Sequence, residues 1–383
     1  MKKLLFVADY YRGDGFQDRN LKALYSLLSP IFIDLEVECN IIQNSMEISS
    51  EDLYIQSLIG QGKSLLESYD LSNSSIIGFE LSKLDINFLN KKKIPWISFE
   101  IHPIRFLDDL CFNIKSSFKI DLNKLAISNS QIQFLANRFC FRKQDQFFDE
   151  NSLLIIGQTP IDKSVYFDSE FKSLMSYEKN LKRICKEYDK IYYKPHPHLS
   201  DAKVDDWVIN ETNAKIVKSN LSLYDLLACS NLRGIVGISS SSLYEAKYFN
   251  KKVYFLEERV INFSKPISLQ SLFNFPNLWV KSLIDGASIE SPRIFVEKNT
   301  CRDHYDYWSY ENHSAILEAK IKDVNLIANN TKQKCDEISI IANNAKYTSE
   351  LANIKIEDLK KIEKVIFYTF KRTVKKLFNL FRI

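Results

Sequence analysis

The chain has 383 residues, 45% hydrophobic and 26% charged, which suits a water-soluble globular protein of two domains of about 150 to 200 residues each. Only nine glycines and nine prolines are present, which excludes collagen-like and linker-rich classes. The formal net charge of +4 is uneven: residues 355–383 hold nine basic and three acidic side chains, a net of +6, leaving −2 for the rest, so a basic surface for nucleic acid is not expected on the body of the protein.

In chain order, MKKLLFVADYY opens with an apolar run that stops at Asp9. That is too short for a secretory signal and right for a first buried strand. A helix is predicted around Leu21–Leu28, a strand at LEVECNII, and a long helix over Glu51–Tyr69. SIIGFE and WISFEIHP read as further strands, each followed by helical sequence. The polar stretch Phe141–Ser152 is the best linker. Beyond it LLIIGQ, KIYYKP, AKIVKS, GIVGIS and KVYFLEE are predicted strands, with helices at Ser169–Tyr188, Leu221–Ser230 and Ser242–Phe249. Alternation of this kind implies α/β halves with mostly parallel sheets. Residues 311–350 look helical and are expected to cross back towards the first half. The seven cysteines are scattered singly without a CxxC pair, as expected of reduced thiols in a cytosolic protein. No apolar run approaches the roughly 18 residues of a membrane span.

Two glycine-bearing stretches invite a phosphate-loop reading. In IGQGKSLL (Ile59–Leu66), Ser57 stands where the pattern needs its first glycine, and helical rather than strand-like sequence precedes it; a helix-ending turn is the better reading. GDG at Gly13–Gly15 follows the first strand and reads as an ordinary turn, with acceptor contact as the functional alternative.

Ligands of such sheets sit beyond the carboxyl ends of the strands, so four strand-end stretches carry the functional argument. SFEIHP holds Glu100 and His102; IIGQTPIDKS holds Gln158 and Asp162; YYKPHPH holds Lys194 and His196; GISSSSLYEA holds Ser239, Ser240, Ser241 and Ser242. The serines end a strand and open a helix, where hydroxyls and free N–H groups receive an anion; a plain helix cap is the simpler reading of that stretch alone. Pro195 and Pro197 stiffen the third stretch and remove N–H donors, which presents Lys194 and His196 in a fixed direction to offset or protonate a phosphate. A turn with surface histidines is the alternative. Metal binding by the His-x-His spacing lacks further ligands. Glu100 and Asp162, one in each half, suit glycosyl chemistry, with one as nucleophile and the other as acid or base. Either alone reads equally well as a helix cap or surface acid.

Taken together, GQ followed by Asp, YKPHP and the serine-rich turn resemble the bacterial glycosyltransferases that use CMP-activated acidic sugars, and within them the retaining β-Kdo transferases of capsule and O-antigen assembly. The resemblance spans about Ser98 to Glu258. It implies a GT-B fold of two Rossmann-like domains facing a cleft, divided here as 1–145 (acceptor) and 150–330 (CMP-sugar), with a helical basic tail at 331–383. It further implies Asp162 as nucleophile, Glu100 as acid/base and His196 beside the CMP phosphate. Ser239–Ser242, Lys194 and Gln158 would line the phosphate and nucleophile loops, and Glu257 or Glu258 the ribose. No cofactor or metal is expected, because Lys194, His196 and the helix N-terminus supply the positive field. The absence of an acidic-acidic-Gly motif weighs against inverting sialyl transfer. Other readings are transfer of sialic or another nonulosonic acid, a CDP-polyol phosphotransferase, and a non-catalytic GT-B module.

In the tail, Ile362, Val365, Ile366, Phe370, Val374, Leu377, Phe378 and Phe381 recur at helical spacing among Lys364, Lys371, Arg372, Lys375, Lys376 and Arg382. A basic amphipathic helix with aromatic anchors reads as an element for an anionic membrane surface. The expectation is a cytoplasmic enzyme, peripheral to the inner membrane, working on a lipid-linked glycan. Docking on the protein itself or on a partner enzyme is the alternative.

Overall fold

The structure is a computed structural model, and it describes residues 2–12, 16–42, 51–142, 147–196, 201–217, 221–257, 263, 265–285, 287, 295–297, 300–305, 331–334 and 356–380. Compact contacts divide the chain into residues 1–316 and 317–383.

The first unit contains two α/β sheets. In the first sheet, the strands are β1 (Lys3–Ala8), β2 (Glu38–Ile41), β3 (Ser74–Phe79), β4 (Trp96–Ile101), β5 (Cys111–Ser116) and a short late strand, Ile267–Ser268. Reading across the sheet, the order is late strand, β5, β4, β3, β1, β2. The pairs among β1 to β4 are parallel; β5 and the late strand are antiparallel additions at one edge. Helices α1 (Phe16–Leu28), α2 (Glu51–Ile59) and α3 (Lys83–Lys92) make the crossovers. Because both faces are covered, β3 is buried at every position, the near-continuous burial expected of parallel strands. Leu4, Phe6, Ile77, Phe79, Ile97 and Phe99 sit in buried clusters with α1, and Leu5, Val7 and Ile76 face the opposite side.

The second sheet is wholly parallel. Its strands are β6 (Ser152–Ile156), β9 (Lys190–Lys194), β10 (Lys215–Ile216), β11 (Leu232–Gly237) and β12 (Lys252–Phe255), in the order β10-β9-β6-β11-β12. Counted within this half, that order is 3-2-1-4-5, the doubly wound arrangement of a Rossmann sheet. A two-stranded hairpin, β7 (Tyr166–Phe167) with β8 (Glu170–Phe171), interrupts the crossover after β6. The two doubly wound sheets form the GT-B-like α/β architecture.

Two segments depart from the division at 145–150. Helix α4 (Asn129–Arg142) buries Ile132, Leu135 and Ala136 against Leu154, Leu227 and Ile235 of the second half. The positions are three and four apart, so one helical stripe meets that sheet. Conversely, residues 267–284 return to the first half, where Ile267, Leu269, Leu272, Trp279 and Leu283 join its core. Trp279 is fully buried edge-on to Phe32 and Phe99. The predicted helix at Glu51–Tyr69 also breaks. It stops at Ile59, and Gly60 and Gly62 take left-handed backbone (φ +75° and +110°) that glycine adopts without strain. The glycine pair is therefore a helix-ending turn. GDG at 13–15 and nearly all of 311–350 lie outside the described residues.

In the second unit, a helix spans Ile356–Leu380. Ile362, Val365, Phe367, Tyr368 and Phe370 are exposed on it. Among the described residues, no helix is long and apolar enough to cross a membrane.

Candidate active site

In each sheet the chain reverses its direction of growth between two neighbouring strands, and the loops leaving those strands open a crevice. In the first sheet the reversal falls between β1 and β3, in the second between β6 and β11. Arg12 follows β1 and Glu80 follows β3; Gln158 and Asp162 follow β6, and Ser239 follows β11. The two reversal points meet. Arg12 donates through Nη1 to Glu80 Oε2 at 2.9 Å and through Nη2 to Asp162 Oδ2 at 2.8 Å. Lys163 Nζ lies 3.2 Å from Glu80 Oε2, and the Lys163 amide donates to Tyr54 Oη of α2 at 2.9 Å.

The local chain explains these positions. Asp162 caps a short 3-10 turn, accepting the Ser164 amide on Oδ1 at 2.8 Å, which leaves Oδ2 directed at Arg12. Glu80 sits at φ +53°, a conformation uncommon for a non-glycine residue and often associated with functional sites. Burial raises the Asp162 pKa, but Arg12 and the Ser164 hydrogen bonds outweigh it and hold the group below its ordinary value. Glu80 follows the same pattern: Lys163 and Arg12 overcome burial and keep it ionised. For Lys163, burial favours the neutral form, yet Glu80 and then Glu100 reverse this and raise its pKa. Asp9, buried at the end of β1, differs: burial pushes it up to about 7 against the pull of Lys163 and Arg12. The crevice thus holds one carboxylate that titrates near neutrality beside two that stay charged.

On the second sheet, three strand ends form one hydrogen-bonded patch. The Ser239 amide donates to Gln158 Oε1 at 2.9 Å, and Ser239 Oγ donates to the Ser164 carbonyl. Gln158 Nε2 reaches Ser164 Oγ at 3.4 Å. The Gly157 amide donates to the Lys194 carbonyl at 2.9 Å. A Cβ at 157 would lie 2.9 Å from the His196 backbone nitrogen, so only glycine lets the KPH segment close down on the Gln158 loop. Lys194 ends β9 almost fully buried, and burial lowers its pKa to about 8. Ser240 caps the helix Ser241–Ala246 through the Ser242 amide at 3.3 Å. That helix has only six residues, so the positive end expected there is weak, and serine hydroxyls and turn amides are the main donors.

Sequence-predicted residues therefore divide. Gln158, Asp162, Lys194, His196 and Ser239–Ser242 cluster at adjacent strand ends of one sheet. Glu100 comes from the other sheet, at the end of β4, where Asn113 Nδ2 donates to it at 2.8 Å and Lys115 Nζ at 2.7 Å. The acid that shares Arg12 with Asp162 is Glu80, not Glu100. Nearby, buried His102 accepts the Ile104 amide on Nδ1 at 3.0 Å. His198 and Glu258 lie outside the described residues; Glu257 accepts from Tyr177 Oη at 3.0 Å. Among the described residues, no group of three or more His, Cys, Asp or Glu is arranged to hold a metal ion.

Sequence reasoning missed Arg12, Glu80, Lys163 and Asp9. Glu80 directly follows β3, while Glu100 is the last but one residue of β4, so the strand-end rule applied evenly would have found it. Glu245 was also missed: it is buried, its pKa raised to about 7 by burial, and it accepts from the Arg105 amide at 2.6 Å and Tyr224 Oη at 3.0 Å. It ties the loop after β4 to the second half.

Residues 105–256, less than half of the chain, match the family model of the α-2,8-polysialyltransferases (POLYST). The resemblance to bacterial glycosyltransferases of CMP-activated acidic sugars is shown over this stretch, which carries Gln158, Asp162, Lys194, His196 and Ser239–Ser242. Among solved structures, the chain is similar to two of KpsC from Thermosulfurimonas dismutans. One is a β-Kdo 2,7 transferase at 17% identity, covering 70% of this chain and 88% of that chain with a TM-score of 0.35. The other, a β-Kdo 2,4 transferase, is 13% identical over the same shares with a TM-score of 0.36. A third is MnaA of S. aureus in a UDP co-structure, 13% identical over 74% of this chain and 91% of that chain, TM-score 0.28. No curated protein matches the chain.

Proposed function

We propose that the protein is a glycosyltransferase that moves Kdo from CMP-β-Kdo to a bacterial surface glycan with retention of configuration. The observation that carries this reading is the hydrogen-bonded patch at the reversal point of the second sheet, with ionised Asp162 on one side and Lys194, His196 and the serines on the other. Departure of CMP concentrates negative charge on its phosphate, and fixed donors with a buried cation stabilise that charge. An Asp162 oxygen bonds to the anomeric carbon as the carbon–oxygen bond to CMP breaks, and the electron pair leaves with the phosphate. The acceptor hydroxyl then displaces Asp162 and gives its proton to Glu100, which restores the starting configuration. In this reading the positive field comes from side chains, so activity persists in EDTA; loss there with recovery on added magnesium contradicts it.

A second donor class, sialic or another nonulosonic acid, is favoured by the family match itself. Both donors share a carboxylate on the anomeric carbon, and the same site chemistry serves either. The deciding experiment measures CMP release from CMP-Kdo and CMP-sialic acid by wild type and Asp162→Ala, with intact-protein mass to detect a sugar adduct. Release from CMP-Kdo, abolished in the variant and with an adduct on wild type, supports the retaining route. Release confined to CMP-sialic acid moves the assignment to the second class, and release without an adduct in rapid-quench samples removes Asp162 as nucleophile.

The C-terminal helix supports placement at an anionic membrane surface. Val365 is 64% exposed and Phe370 54%, among lysines with no acid after Glu363, so a water-facing apolar stripe is flanked by cations. A lipid-linked acceptor at the inner leaflet fits this placement.

A further inference from the structure

The pairing of Arg12 with Asp162 has a chemical meaning if Asp162 attacks the donor, a reading on which this inference rests. In a 2-keto acid sugar, the carbon under attack also bears a carboxylate. An attacking oxygen comes within roughly 3 Å of that carbon, so the donor's carboxylate oxygens lie about 4 Å from the Asp162 carboxylate. Two anions at that distance in a protein site repel by enough to slow attack on the order of a thousand-fold. An aldose donor carries no such charge. A carboxylate nucleophile for a keto-acid sugar therefore needs a cation at its side, placed to meet both anions.

We propose that Arg12 is that cation and is the residue that selects donors bearing an anomeric carboxylate. Its Nη2 lies 2.8 Å from Asp162 Oδ2, so the guanidinium edge is within reach of any carboxylate one bond from the attacked carbon. Its planar guanidinium already bridges Glu80 through Nη1 and Asp162 through Nη2, and with five N–H donors in one plane it can take the donor carboxylate as a third partner, which a lysine ammonium cannot do with the same geometry. Glu80 acts as the positioning residue: it holds Nη1 at 2.9 Å, is itself held by Lys163 at 3.2 Å, and lies at the end of β3 in left-handed backbone. The selector thus comes from the first half and the nucleophile from the second, so donor selection requires both reversal points to be in register. Gln158 and the serines do not perform this task, since they are neutral donors.

The test uses the full chain and two donors, CMP-Kdo and its C1 carboxamide, with CMP release as readout. Wild type is expected to prefer the carboxylate donor by at least about a hundred-fold in kcat/KM. Arg12→Met should lose roughly a thousand-fold on the carboxylate donor and far less on the carboxamide, so that the preference collapses. Arg12→Lys keeps the charge without the fork and should retain part of the preference; it also serves if the Met variant does not fold. Equal losses on both donors, with the preference intact in either folded variant, overturn the proposal and leave Arg12 a brace between the halves. Comparable use of both donors by wild type also overturns it. Release of CMP by wild type from neither donor removes the glycosyl-transfer reading and the inference together, an outcome distinguished by wild type alone.

Discussion

Gly157→Ala tests whether the close approach of two strand ends sets the phosphate side of the site. An alanine Cβ there would lie 2.9 Å from the His196 backbone nitrogen, 2.9 Å from Tyr193 Oη and 3.2 Å from Pro195 Cα. None of these can swing aside cheaply. Two are backbone atoms, and the Tyr193 hydroxyl is hydrogen-bonded to Asp205. Residue 157 cannot slide either, since its amide is fixed on the Lys194 carbonyl. The KPH segment must therefore move by about half an ångström, and overpacking of this kind costs about 1–3 kcal/mol. At roughly 2–4 °C per kcal/mol for a domain of this size, the melting temperature should fall by several degrees. The same displacement moves His196 relative to the Gln158 loop, for which a ten- to hundred-fold loss in the rate of CMP release is the expected order. Gly237→Ala supplies the control. It ends the neighbouring strand, but its added Cβ meets nothing nearer than 3.5 Å, so stability should change by less than about 1 kcal/mol. Thermal unfolding and CMP titration on both variants decide the matter. Equal stability of the two variants, or a destabilised Gly157→Ala that binds CMP as wild type does, refutes the reasoning.

Three further outcomes follow from the charges. The Asp9 pKa, raised to about 7 in the folded protein from 3.8, means the native state holds a proton the unfolded chain has released. Stability should therefore fall as pH rises from about 4 to 7, at up to about 1.4 kcal/mol per pH unit for one proton, and denaturant titrations on Asp9→Asn should show that slope reduced; an unchanged slope contradicts the assignment. Lys194, with its pKa lowered to about 8, should bind the CMP phosphate most tightly when protonated, so CMP affinity should weaken above pH 8 in wild type and show no such step in Lys194→Met by calorimetry. Deletion of residues 355–383 should abolish sedimentation with vesicles containing phosphatidylglycerol while leaving CMP release from a soluble acceptor reaction within about two-fold; unchanged sedimentation removes the membrane role.

Much of the architecture was legible because burial leaves a local trace. LLFVA, SIIGF and SLLII are strand runs buried at every position, and WISFEI and LRGIVG are buried at all but Glu100 and Arg233; such runs stay mostly apolar whatever their neighbours. Pro195 after KIYYK and the serines after GIVG mark strand exits for equally local reasons, a missing donor and a helix cap. Hence Gln158, Asp162, Lys194, His196 and the serines could be singled out by position alone.

Other features depend on which strands become neighbours, and no local pattern states that. The order β10-β9-β6-β11-β12 brings Gln158 to Ser239 across 81 residues of chain. β5 is not among the strands read from the sequence, and it runs antiparallel between β4 and the late strand. Helix α4 lies before the linker but packs beyond it, while Trp279 lies after it and packs in front. Arg12 is the sharpest case: it is an ordinary basic residue after a strand until folding places it between Glu80 and Asp162, 68 and 150 residues away. Periodicity and turn chemistry record what a residue needs from solvent and from its own backbone, and those determined the elements and their exits. The partner of a charged side chain is chosen by long-range packing of the two sheets, and so only the tertiary structure decided that Glu80 rather than Glu100 shares Arg12 with Asp162.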